Sequence, residues 1–345
     1  MRKILVIKTS SLGDIIHCFP AVSLLKSLNP DAQVDWLVNK SFADLVSMHP
    51  SVERVLIFDR ERLGKLSSFL PTFKHLRNSL KKGEYDFAID FQGLLRNSFF
   101  AWLSGAKNVV GFEKPKEALS RLFYDRAIPT GGAIHAVDRN LSLVKGIFGD
   151  GKDFGFHIQT NTEMREKVLG IFKGIGLKEG RRIVIVSPCA RWESKMWPSD
   201  FFVSAIRRIE KDFPDIDFLL VGSSSDIEFC SKICSSGLKS TYNLAGMTTI
   251  RELFEIIRMG SAMLCVDSGP MHIAAALNIP VFALFGPTDP AKTGPYGENH
   301  TVFQSEDACI KCFKRYCGRS SVKCHEGIKP EVLAEAFKNK MVNLK

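Results

Sequence analysis

A short apolar run, Ala262 to Val266, leads straight into Asp267-Ser268-Gly269-Pro270-Met271-His272 and then into an alanine-rich stretch ending at Leu277. The apolar run reads as a buried strand and the stretch after it as a helix. Asp267 or Ser268 can cap that helix, Gly269 lets backbone approach a ligand, and Pro270 suits a first helical turn. Such a helix offers unpaired N–H groups and the positive end of its dipole to an anion, phosphate above all. A second apolar run, Ile279 to Phe285, follows at once and ends in Gly286-Pro287-Thr288. Strand, loop, helix, strand is half of a nucleotide-binding α/β unit. An ordinary strand–helix turn without a ligand is the alternative, and the rest of the chain decides.

The same rhythm runs from the start. Ile4 to Ile7 reads as a strand, Lys8-Thr9-Ser10-Ser11-Leu12-Gly13-Asp14 as the loop after it, and Ile15 to Leu28 as one helix ended by Asn29-Pro30. The loop sets a lysine, hydroxyls and a carboxylate at a strand's carboxyl end, where open α/β sheets bind ligands. It lacks the spacing of a P-loop. For Asp14, position alone favours the plainer role of a carboxylate facing a helix dipole. Val34 to Val38, Val55 to Phe58, Ala88 to Phe91 and Val109 to Phe112 continue the strands. From Gly149 to Gly180 the chain turns glycine- and lysine-rich. The rhythm then restarts with strand Ile183 to Val186, a helix over Ser199 to Asp212 and strand Asp217 to Val221. Two such halves predict an α/β protein of two Rossmann-like domains facing a central cleft. The expected division is 1–160, 180–325, and a closing helix in 326–345 that packs back on the N-terminal domain.

No apolar run approaches the ~20 residues of a membrane span, and Met1-Arg2-Lys3 leads directly into a strand instead of a secretory signal. A cytoplasmic protein with its nine cysteines reduced is the expectation. A net charge of +10 favours an acidic partner. Part of that charge is concentrated between Arg60 and Lys82, where Arg60, Arg62, Lys65, Lys74, Arg77, Lys81 and Lys82 face the single acid Glu61. A solvated helical face is the ordinary reading of such a run, an anion-facing surface the other. A nucleic-acid-binding protein is the rival class, yet no helix-turn-helix, RNP or zinc-finger pattern is present. A dehydrogenase fails because no Gly-x-Gly-x-x-Gly follows either leading strand.

The loop Pro188 to Trp197 carries Arg191 and Lys195, again after a strand. Lys195 is the best candidate for a cation beside phosphate, with a plain surface lysine the alternative. Late in the chain, Cys309-x-x-Cys312, Cys317 and Cys324-His325 form a cluster in sequence. Cys-x-x-Cys is a common zinc half-site, but no second tight pair follows, so a structural metal, a redox-linked cluster and a reduced loop all stay open.

Taken in order, these segments resemble the bacterial ADP-heptose:lipopolysaccharide heptosyltransferases, glycosyltransferase family 9, over nearly the whole chain, with the heptosyltransferase I branch the nearer. The resemblance rests on Lys8 to Asp14 with His17, on Asp90-Phe91-Gln92-Gly93-Leu94, and on Ala118 to Tyr124 with His135 to Arg139. In the second half it rests on Lys195-x-Trp197-Pro198, Met247, Val266 to His272, and Gly286-Pro287-Thr288-Asp289-Pro290. The segment Cys312-Phe313-Lys314-Arg315-x-Cys317 is more similar to heptosyltransferase II relatives.

The resemblance implies a GT-B fold with the acceptor on the N-terminal domain and the nucleotide sugar on the C-terminal one. It implies inverting transfer of L-glycero-D-manno-heptose from ADP-heptose to Kdo of the lipopolysaccharide inner core, with no cofactor and no divalent metal. Asp14 then stands as the catalytic base and Lys195 as the cation facing the leaving diphosphate. Ser268, Gly269, His272, Thr288 and Arg191 become donor-phosphate contacts, and Asp267 lies near the donor. Met247 would line the adenine pocket and Glu228 hold a ribose hydroxyl. On the acceptor side stand Thr9, Ser10, Ser11, Gly13 and Gln92, with Arg60, Arg62 and Lys65 for the anionic Kdo-lipid A and Arg96, Arg121 and Arg139 as further candidates. The basic surface also suits an anionic inner-membrane face, so peripheral association there is expected, with no nucleic acid. Within the family, a heptose acceptor or another nucleotide sugar is the alternative.

Overall fold

The computed structural model describes residues 1–152, 155–306, 309–318 and 323–342. The chain forms two compact units, Met1–Thr160 and Asn161–Lys345.

The first unit contains β1 (Lys3–Ile7), β2 (Gln33–Asn39), β3 (Arg54–Phe58), β4 (Phe87–Asp90), β5 (Asn108–Phe112) and β6 (Arg126–Ile128). They lie in the order β3-β2-β1-β4-β5-β6, and every pairing is parallel. A parallel sheet needs crossover helices, and helices on both faces bury the central strands completely. Ile4, Leu5, Val6 and Ile7 are accordingly fully buried, which is why β1 reads as a continuous apolar run. The chain starts in the middle of the sheet, runs outward to β3, and returns on the other side of β1 as β4. Loops after β1 and β4 therefore leave in opposite directions and open a crevice at their carboxyl ends.

The helix expected over Ile15 to Leu28 is two helices, Leu12–Ile16 and Phe19–Leu28. Pro20 lies in the first turn of the second. It has no N–H to donate, and inside one continuous helix its ring would collide with the carbonyl of Ile16. The break turns Asp14 into part of a short, separately capped helix.

The second unit repeats the plan with β7 (Arg182–Ser187), β8 (Ile216–Leu220), β9 (Thr241–Asn243), β10 (Ala262–Val266), β11 (Val281–Phe285) and β12 (Thr301–Gln304). The order is β12-β11-β10-β7-β8-β9, again all parallel, so the direction switches between β7 and β10. Its core includes Trp197, Phe202, Phe218, Phe282, Leu333 and Phe337.

One expectation about boundaries needs correction. The second unit begins at Asn161, not near 180. Asn161 caps a helix over Thr162–Gly174, its side chain accepting from the Met164 amide at 2.8 Å. That helix buries Val168 and Phe172 and packs on the helix Ile250–Arg258. The closing helix, Pro330–Val342, packs on Ser199–Asp212 of the second unit. Phe337, fully buried between Phe213 and Phe282, is its anchor. Burying such a side chain contributes about 2–3 kcal/mol.

Candidate active site

In each unit several of the candidate residues lie at the carboxyl ends of the two strands that flank its switch point. In the first unit these are the loops after β1 and β4. Ser11 caps Leu12–Ile16, and Asp14 closes the capping box: its Oδ2 accepts from the Ser11 amide at 3.1 Å and from Ser11 Oγ at 3.0 Å. The other oxygen faces two cations, Lys8 Nζ at 3.8 Å and Lys116 Nζ at 3.7 Å. Burial would raise the Asp14 pKa. Lys8, Lys116 and the Ser11 amide outweigh it and hold the carboxyl well below the usual carboxylate range. The helix-end role is therefore real, and it leaves the Asp14 side chain 29% exposed and fully ionised.

Lys8 itself is buried, donates to the Phe91 carbonyl at 2.9 Å, and is lowered in pKa by that burial, with Asp14 opposing. Asp90, at the end of β4, organises the second loop. Its Oδ1 accepts from the Gln92 and Gly93 amides at 2.8 and 3.1 Å, and its Oδ2 from the Tyr124 hydroxyl at 2.6 Å. Gln92 is thereby fixed in a buried position, with its Oε1 lacking a hydrogen-bond partner. A buried amide oxygen left unpaired costs about 1–3 kcal/mol unless water or a ligand satisfies it.

Not every acceptor candidate is equally available. Thr9 is buried and its hydroxyl pairs with the Asn97 side-chain amide at 3.2 Å, which makes it a structural residue. Gly13 is buried within the short helix, whereas Ser10 is half-buried and Ser11 exposed. Arg60, Arg62 and Lys65 are exposed on the short helix Arg60–Leu63 and the residue capping Leu66–Lys81. Arg96 is half-buried, its guanidinium 4.8 Å from the centre of the Phe58 ring; burial lowers its pKa, and Arg60 adds to that. Arg60 and Arg96 therefore share one field. Arg121 is exposed and donates to the Tyr124 carbonyl at 3.2 Å; Arg139 lies 5.4 Å from the centre of the Phe112 ring.

In the second unit the loops after β7 and β10 meet. Lys195 Nζ lies 2.6 Å from Asp267 Oδ2, and the same oxygen accepts from Thr288 Oγ1 at 2.6 Å. Ser187 and Ser268 hydroxyls sit 3.2 Å apart across the switch point. Ser268 occupies the cap position of Gly269–Ala276 in an extended conformation, but its side chain makes no cap hydrogen bond. The first-turn amides thus lack the usual side-chain acceptor, and a lysine stands beside them. Together these features suit an anion. His272 is buried in that helix. Lys195 also lies 4.8 Å from the Trp192 ring centre, while Arg191 is exposed. Met247 and Glu228 are exposed after β9 and β8 respectively.

Two residues of these sites, Lys116 and Asn97, escaped the sequence reading, and His325 entered it only as part of the cysteine-rich tail. His325 is fully buried, and neither ring nitrogen has a hydrogen-bond partner. Burial pushes it down to about 4, with Asp267 opposing and Lys195 reinforcing, so it is neutral at physiological pH and close to the lysine–aspartate pair. Gly286 makes room for it: a Cβ there would stand 2.6 Å from His325 Nε2.

The profile of glycosyltransferase family 9 (heptosyltransferase) matches residues 73–323. Lipopolysaccharide heptosyltransferase 1 of Pseudomonas aeruginosa is 30% identical over 325 residues, covering 91% of this chain and 87% of that protein. Its Escherichia coli K12 counterpart is 28% identical over 305 residues, covering 87% and 92%. The solved structure of E. coli heptosyltransferase WaaC with ADP superposes with a TM-score of 0.79 at 23% identity, covering 98% of this chain and 99% of that one. The fold is therefore GT-B, and this chain belongs to glycosyltransferase family 9, the heptosyltransferases, as a glycosyl-transferring enzyme.

Proposed function

We propose that the enzyme transfers L-glycero-D-manno-heptose from ADP-heptose to a Kdo sugar of the lipopolysaccharide inner core, inverting the anomeric centre without a catalytic divalent metal. The observation that carries this reading is the Lys195–Asp267–Thr288 cluster beside the helix Gly269–Ala276, at the switch point of the second sheet. It is suited to a diphosphate. The names of the similar proteins, heptosyltransferase 1 in two species and a heptosyltransferase with ADP, support the donor and the pathway.

As the glycosidic bond breaks, negative charge builds on the departing ADP, and the site must supply the opposing field. Lys195 has three donors, so it keeps Asp267 while turning another N–H to phosphate. Asp267 is then a positioning residue, holding both Lys195 and Thr288. Asp14 takes the acceptor's proton. Held at low pKa it is a weak base, but the attacking hydroxyl becomes strongly acidic once its oxygen has bonded to the anomeric carbon, so a weak base in place suffices. Arg60, Arg62 and Lys65, with Arg96, Arg121 and Arg139 as further candidates, face the Kdo carboxylates and lipid phosphates. The same charge supports peripheral binding to an anionic membrane on its cytoplasmic side. Among the described residues no helix is long and apolar enough to cross a membrane.

A donor and acceptor panel tests the assignment. The expected result is turnover with ADP-heptose and Kdo-lipid A, and little with other nucleotide sugars or with an already heptosylated core. Preference for the heptosylated core would move the enzyme to the heptosyltransferase II reaction.

A further inference from the structure

The late cysteines have no part in that chemistry, and their surroundings are unusual. Cys309, Cys312, Cys317 and Cys324 all line one cavity of about 280 Å³, together with Ser194, Pro287 and Tyr316. The remaining cysteines, at 18, 189, 230, 234 and 265, do not line it, and none of the nine is in a disulfide. The segment 309–318 has no helix longer than a turn and no strand, and Lys311, Cys312, Phe313, Lys314, Arg315 and Tyr316 are all exposed. It has almost no apolar core to hold it. Even so, it keeps two non-glycine residues in left-handed backbone, Lys311 at φ 59° and Phe313 at φ 55°. Each such residue costs energy and persists only where its surroundings fix it.

We propose that these thiols bind one tetrahedral, thiophilic metal ion, of zinc or iron type, which fixes the loop. Cys-x-x-Cys supplies the usual half-site, and four thiolates select such ions. Four thiolates on a divalent ion leave a net charge of −2, which Lys311, Lys314 and Arg315 are placed in sequence to offset. Among the described residues no three His, Cys, Asp or Glu side chains are already gathered closely enough to hold an ion. The thiols frame the cavity, and binding draws them inward.

The ion has a structural consequence, which rests on the donor-site reading above. The cysteine loop is tied to two loops of the diphosphate site, those after β7 and β11. Ser194 Oγ donates to the Lys314 carbonyl at 2.6 Å and the Ser194 amide to the Arg315 carbonyl at 3.2 Å, one residue from Lys195. On the other side, the Lys311 and Phe313 amides donate to the Gly286 and Pro287 carbonyls at 3.2 and 2.8 Å, next to Thr288. Lys311 Nζ also pairs with Asp289 at 3.1 Å. A metal-fixed loop therefore braces Lys195 and Thr288 from behind. The ion does not enter the reaction.

Metal analysis of the full-length protein, purified under reducing conditions without chelators, tests this. About one zinc or iron per chain is expected, iron being told apart by its thiolate absorption bands. Cys309→Ser/Cys312→Ser should lose the metal, while Cys234→Ser keeps it. Titrating wild type with a thiol-modifying mercurial should release the ion, a readout independent of how well the variant folds. Metal removal should weaken ADP binding by roughly tenfold or more, as loss of outer supports does elsewhere. A metal-free wild type that takes up neither zinc nor ferrous ion overturns the site, as does a disulfide between any two of the four. Unchanged ADP affinity after metal removal overturns the bracing. A wild type that holds metal but does not bind ADP refutes the donor reading and leaves the metal site standing.

Discussion

Lys195→Met separates the structural from the chemical role of the pair at the centre of the donor site. In wild type the Asp267 side chain is 6% exposed and Lys195 17% exposed, with 2.6 Å between nitrogen and oxygen. Removing the ammonium leaves a buried carboxylate with, among the described residues, the Thr288 hydroxyl as its remaining side-chain donor. Breaking a buried pair from one side costs about 3–5 kcal/mol, and the residual exposure of the lysine places this case near the lower end. For a unit of this size each kcal/mol lowers the melting temperature by roughly 2–4 °C, so a drop of about 6–12 °C is expected. Adding Asp267→Asn removes the stranded charge. The double variant should recover most of the lost stability yet none of the transfer activity, because the cation facing the leaving diphosphate is still missing. Differential scanning calorimetry, ADP titration calorimetry and a transfer assay on both variants and wild type give all three quantities. A Lys195→Met protein that melts within a degree of wild type, or a double variant that regains transfer, refutes the reasoning.

Three further outcomes are expected. Asp14 has a lowered folded pKa, so its contribution to stability is complete above the unfolded value of about 3.9 and is lost as pH falls through the lower folded value. Its protonation should therefore not limit transfer above about pH 4, and Lys116→Ala should move the acid limb upward; an acid limb that Lys116→Ala leaves in place contradicts this. Gly286→Ala puts a Cβ 2.6 Å from His325 Nε2 and 2.9 Å from Cys324 Sγ, and overpacking of that kind costs about 1–3 kcal/mol; denaturant melts check it, and a wild-type midpoint counts against the tight packing. Arg60→Glu/Arg62→Glu should weaken acceptor binding more than ADP-heptose binding, and equal loss of both would sink the acceptor assignment.

What could be read from the sequence was what is local in it. The central strands announce themselves as apolar runs because both their faces are covered, and the residues that end them, Lys8 to Asp14 and Asp267 to Gly269, stand where the sheets switch direction. Three of the four edge strands left no such trace. β6, β9 and β12 are only three or four residues long and partly exposed, so they show neither a run nor a clean alternation. The helix Thr162–Gly174 was hidden by its glycines and lysines: Gly170 and Gly174 lower helix propensity, and only Val168 and Phe172 mark its buried side. Pro20 was visible, and its effect on the predicted single helix was misjudged.

The sites divide in the same way. Asp14, Lys195 and Asp267 could be named because each follows a strand. Lys116 reaches Asp14 from 102 positions further along the chain, and His325 reaches the Lys195–Asp267 pair from the cysteine-rich tail. Nothing in a local pattern encodes such meetings. For Asp14 the sequence correctly posed two roles, and the capping box shows that the plainer one is filled.

The most direct measurement is heptose transfer from ADP-heptose to Kdo-lipid A with no divalent metal added, for wild type and Asp14→Asn. Robust wild-type transfer is expected, with a loss of about 10²-fold or more in the variant and ADP-heptose binding retained. Full activity in the variant would contradict it, leaving Asp14 as a helix cap and the base elsewhere.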